Sequence, residues 1–126
     1  MKFIVRFILL TAFCTVMNQP ANLWAKNEPI VPVKDTVTIV DLGAKTCIPC
    51  KMMAPILEEL KAEYQGRAEV IFIDVWQEPG QGKRFGILSI PTQIFYDKHG
   101  KETYRHTGFM DKEKIKKRLD MLLEQE

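Results

Sequence analysis

Residues 36–66 read TVTIVDLGAKTCIPCKMMAPILEELKAEYQG, and this stretch decides the fold. Thr36 to Leu42 form a short β-branched, apolar run of the kind that makes a strand buried on both faces. From Cys50 the apolar positions Met53, Ile56, Leu57, Leu60 and Tyr64 recur at helical spacing up to a stop at Gly66, with a kink expected at Pro55. Cys47, Ile48, Pro49 and Cys50 therefore stand where a strand gives way to a helix. A thiol there meets the unpaired N–H groups and the positive end of the helix dipole, which stabilise a thiolate. This placement makes Cys47 the nucleophile. Cys50, one turn further in, is placed to attack a mixed disulfide formed at Cys47.

Outward from this segment, Ala68 to Val75 (AEVIFIDV) read as a second buried strand, joined to the first by a right-handed βαβ crossover. Gln77 to Gly86 read as a short helix between glycines. Thr92 to Tyr96 and Glu102 to Thr107 flank Asp97–Lys101, a hairpin signal. Asp111 caps a closing helix to Glu124 with Ile115, Leu119 and Leu122 on one face. The order β-α-β-α-β-β-α predicts an α/β fold, a mixed four-stranded sheet in the order second, first, third, fourth, with helices on both faces.

Composition agrees with one domain. The chain has 126 residues, 46% hydrophobic and 27% charged, and a net charge of +2, too even a balance for a protein that binds nucleic acid through its phosphates. Lys2 and Arg6, an apolar run of 11 residues from Phe7 to Met17, and polar Asn18 to Pro20 follow the order of a secretory signal. Residues 1–25 are expected to be a signal peptide cleaved after Ala25, or an uncleaved membrane tether. Residues 26–35, with Pro29 and Pro32, are expected to be a leader, and residues 36–126 the domain. Losing residues 1–25 removes Lys2, Arg6 and Cys14 and leaves 16 basic against 16 acidic residues and two thiols. One Cys-x-x-Cys in an exported chain is a redox pair or half of a metal site. His99, in the hairpin turn, and His106, on an edge strand, are expected to be solvated and not ligands. Lys112 to Arg118 are expected to form a solvated basic face balanced by Glu113.

The stretches KTCIPCKMMAPILEELKAEYQGRAEVIFIDV, FGILSIPTQIFYDKHGKE and HTGFMDKEKI, in this order, resemble the thioredoxin family from Val37 to Leu123. The resemblance implies the thioredoxin fold and an oxidoreductase that binds no cofactor or metal. It implies that Asp41 is the buried acid exchanging a proton with the resolving cysteine, and that Pro91, in SIPT, follows a cis bond and lies against the disulfide. Ile90 would then offer its backbone to an extended substrate, with Ile48, Pro49 and Gly108 completing the docking surface. The chain departs from the family at three positions: Thr46 and Gly43 stand where thioredoxin has aromatics, and Phe72 where it has the lysine partnering the acid. It also starts too late for the family's first strand and helix, apart from a short extra N-terminal strand. The expected function is reduction of disulfides in exported proteins by a periplasmic monomer recharged by a membrane electron donor. The alternatives are an oxidase or isomerase of the same fold, and a Cu(I)- or Zn-binding metallochaperone module using the same thiols.

Overall fold

A computed structural model describes residues 28–125. The signal or tether expected at residues 1–25 lies outside them. The elements are β1 (Val37–Gly43), α1 (Ile48–Glu63), β2 (Ala68–Asp74), α2 (Gln81–Arg84), β3 (Thr92–Tyr96), β4 (Glu102–Thr107) and α3 (Lys112–Glu124). The sheet order is β2-β1-β3-β4, with β1 and β2 parallel and the other pairs antiparallel. No further N-terminal strand occurs among the described residues.

Every residue of β1 is buried, as its apolar run implies. The second strand differs from its sequence reading. In β2, at the sheet edge, Glu69 is exposed on one face and Phe72 39% exposed on the other, because an edge strand has a neighbouring strand on one side only and both of its faces lie partly open at the rim. Period-2 alternation sends Val37, Ile39, Asp41 and Gly43 to one face of β1. There Val37 and Ile39 pack with Met53, Leu57 and Leu60 of α1, its C-cap Tyr64, and Ile115, Leu119 and Leu122 of α3. Val40 and Leu42 face the other way, onto Ile73, Phe85 and Ile94. Val31 joins this second core, so the expected leader packs onto the domain.

Helix α1 starts two residues earlier than its apolar spacing indicates and runs through Pro55. Both Pro55 and Lys51, whose carbonyl the proline leaves without its helical donor, are exposed. The short helix expected over residues 77–86 contracts to one turn at Gln81–Arg84. Asp111 caps α3, accepting from the Lys114 N–H at 2.9 Å. The basic face of α3 is not balanced by Glu113. Lys112 pairs with Glu59 (2.8 Å) and Glu63 (3.5 Å), and Lys116 with Glu63, tying α3 to α1, while the Arg118 guanidinium lies 3.8 Å from the Tyr104 ring centre.

Candidate active site

Cys47 is the N-cap of α1 and Ile48 and Pro49 form its first two positions, so the turn is set by residues suited to it: an extended N-cap (φ −79°, ψ 125°) and a proline where no N–H is required. The Cys47 N–H donates to the Ala44 carbonyl at 3.1 Å, and the Lys51 N–H donates to the Cys47 carbonyl at 2.9 Å. Cys47 and Cys50 are joined as a disulfide, with Cα atoms 5.2 Å apart. Cys47 is partly exposed, whereas Cys50 is buried at 3% exposure. Ile48, beside them, is 74% exposed.

The end of β1 meets the disulfide from below. A Cβ built on Gly43 would lie 3.2 Å from Cys50 Sγ and 3.1 Å from Cε2 of Phe72. Glycine at this strand end thus admits both the sulfur and the aromatic ring from β2. Phe72, with Cys50, Ala44, Ala54 and Leu57, lines a cavity of about 230 Å³ rimmed by Lys45, Lys51 and Glu58. Gly43→Ala should cost about 1 kcal/mol by this crowding. Denaturant unfolding should show that loss, and Phe72→Leu in the same chain should recover part of it by giving up ring atoms.

Asp41 lies on the same face of β1, two residues before Gly43, with no exposed surface. Gln93 Nε2 donates to its Oδ1 at 2.7 Å. Burial pushes the Asp41 pKa up to about 6, against the pull of that hydrogen bond toward lower values. Phe72, the register partner of Asp41 on β2, supplies no charge to oppose the burial.

The Ile90–Pro91 bond is cis. One step beyond the Leu42–Thr92 pair of β1 and β3, Pro91 stands opposite Gly43 at the end of the sheet that carries the disulfide. The Gly108 N–H donates to the Pro91 carbonyl at 2.8 Å, with Gly108 at φ 100°, a backbone state that favours glycine. Ile90 is half-buried and Pro91 buried. The structure therefore gathers Asp41, Cys47, Ile48, Pro49, Cys50, Pro91 and Gly108 at one end of the sheet, with Ile90 adjoining. His106 is partly exposed, and a ring nitrogen lies 3.2 Å from the Phe109 carbonyl oxygen. His99 sits exposed in the hairpin turn.

Two site-building residues escape sequence reading. Gln93 is one: its signal was an amide within the otherwise hydroxylic and apolar run TQIFY. Asp74 is the other. Its Oδ2 accepts from the Lys45 N–H (3.0 Å) and its Oδ1 from the N–H groups of Trp76 (3.0 Å) and Gln77 (3.1 Å). Burial raises the Asp74 pKa, but those N–H groups, with the Lys45 cation, hold it below the ordinary carboxylate value. This carboxylate fastens the β1–α1 connection, and hence the approach to Cys47, to the exit of β2.

The thioredoxin family model matches residues 24–121. Thioredoxins of Staphylococcus aureus strains Mu50 and MW2 are each 41% identical over 88 residues, covering 70% of this chain and 84% of theirs. Disulfide, sheet topology and relatives agree: the chain belongs to the thioredoxin family and is a thiol-disulfide oxidoreductase.

Proposed function

We propose that the protein reduces disulfides of other exported proteins, with Cys47 attacking and Cys50 resolving. The observation that carries this reading is the unequal burial of the two cysteines at the start of α1. The reachable one is the N-cap, where a thiolate can accept from the N–H of Cys50, since Pro49 has none to offer. Cys47 thiolate forms a bond to one substrate sulfur, and the other leaves as a thiolate that takes a proton. Asp41 carboxylate then receives the proton of the Cys50 thiol. The Cys50 thiolate bonds to Cys47 Sγ, and the second substrate sulfur departs. Two electrons have passed to the substrate, and the Cys47–Cys50 disulfide that remains requires a dithiol donor to be reduced.

Ile48, Pro49, Ile90, Pro91 and Gly108 form the surface on which an extended substrate segment lies in this reading. The charged, apolar and polar order of residues 1–25 supports export to the periplasm, where no soluble nicotinamide pool exists, so the donor is a membrane protein carrying electrons outward.

Equilibration of the purified chain with thiol-disulfide buffers tests the direction. A reductant of this kind should show a potential near −270 mV, roughly the reducing end of the family range, and a value near −120 mV, roughly the oxidising end, would overturn it. A reporter enzyme active only outside the cytoplasm, fused after residue 25, should be active; an inactive, cytoplasmic fusion would overturn export.

A further inference from the structure

Gln93 is a fully buried amide in the centre of the sheet, and its only side-chain hydrogen bond among the described residues goes to Asp41. Two oxygens of this pair, Asp41 Oδ2 and Gln93 Oε1, are buried and face no donor. Two orphaned acceptors in a sheet interior are costly. A proton on Asp41 changes the accounting of donors: the neutral acid gains an O–H, and the amide has a free oxygen to receive it. The ionised acid needs a donor, and the amide N–H already points at it. An amide is thus the side chain able to serve both protonation states, whereas an apolar residue would serve neither.

We propose that Gln93 is a positioning residue for the resolving step: it holds the Asp41 carboxyl on the Gly43–Cys50 side of β1 in both states, donating to the carboxylate and accepting from the acid. This rests on the reading that Asp41 exchanges a proton with Cys50. The remaining polar neighbours are otherwise placed. On β4, His106 is the register partner of Gln93 and lies against the Phe109 carbonyl. On β2, Phe72 is apolar and the Asp74 carboxylate is taken up by backbone N–H groups. On α1 and the connection before it, Lys45, Lys51 and Glu58 rim the cavity beside Cys50. From α3, the apolar Ile115 and Leu119 pack on this face.

The test uses the full chain with Gln93→Leu, and with Gln93→Met as a more adaptable replacement should leucine prevent folding. The carboxyl titration of Asp41 is followed by carbon NMR, beside the pH profile of mixed-disulfide resolution in single turnovers. Both contacts are lost in the variant, but the charge-assisted bond to the carboxylate is roughly twice as strong as the neutral bond from the acid, so the Asp41 midpoint should rise by up to about one pH unit and the kinetic limb with it. His106→Asn should move neither. If Asp41 titrates unchanged in a folded Gln93 variant, Gln93 is only structural and the inference is wrong, while the role of Asp41 stands. If wild-type resolution shows no limb that follows Asp41, the proton-transfer reading itself fails and the inference with it. Loss of stability with an unmoved titration also counts against it.

Discussion

Cys50→Ser should accumulate a long-lived mixed disulfide between Cys47 and its substrates, and Cys47→Ser should form none. The first attack needs only Cys47, partly exposed at the helix N-cap, so the Cys50 variant completes half of the reaction and stops. With Cys47 replaced, the remaining cysteine is buried, at 3% exposure, and no substrate disulfide should reach it. Steady-state disulfide reduction should fall about 10³-fold or more in either variant, because the two thiols act as one unit. Non-reducing electrophoresis with mass spectrometry reads the difference. Substrate adducts on Cys50 in the Cys47→Ser protein would reverse the assignment, and adducts on neither would remove it.

Asp41→Asn should slow resolution about 10²-fold while leaving the first attack nearly unchanged, the loss expected when a positioned general base is removed. Its effect on stability runs the other way. The Asp41 pKa is 3.8 in its ordinary environment and about 6 in the fold. Between those values the folded chain holds a proton that the unfolded chain has released, so stability falls as pH rises from about 4 to about 6. At pH 7 the folded chain bears the whole cost of the buried carboxylate, at most about 3 kcal/mol. The asparagine variant bears none of it and can retain the Gln93 contact through its amide. It should therefore match the parent in denaturant unfolding below about pH 4 and exceed it increasingly up to about pH 6. Equal stability of the two proteins at pH 7 would mean that Asp41 is solvated or paired in solution. An unchanged resolution rate from pH 6 to pH 9, a range spanning roughly the shifted pKa values of such acids and thiols, would make Asp41 structural.

The positions of these groups differ in how much the chain discloses about them. Strand, turn and helix around Cys47 are local events: a β-branched run, a proline at the second helical position and apolar residues at helical spacing act within one turn of themselves. Both strands of the 92–107 hairpin fall at their expected residues for the same reason, with Gly100 at φ 78° in the turn between them. Burial of β2 was not local. AEVIFIDV carries the apolar content of an interior strand, yet the sheet order read from the chain already puts it at an edge, where Glu69 and part of Phe72 stay in water: composition within the segment and its place in the sheet point different ways. The partners of the α3 cations are equally non-local, since Glu59 and Glu63 come from a helix about fifty residues away in sequence.

Sequence alone thus determined the order of elements, the sheet topology, the two thiols at a helix start and the acid upstream of them, because periodicity, capping and chain connectivity act over short distances. Only the tertiary structure decided that Gln93 reaches Asp41, that Phe72 and Cys50 crowd Gly43, and that Asp74 holds the loop before Cys47. Those contacts join residues 29 to 52 positions apart in the first and last cases. Side-chain direction and register across three strands create them, and no local preference of either partner encodes the pairing.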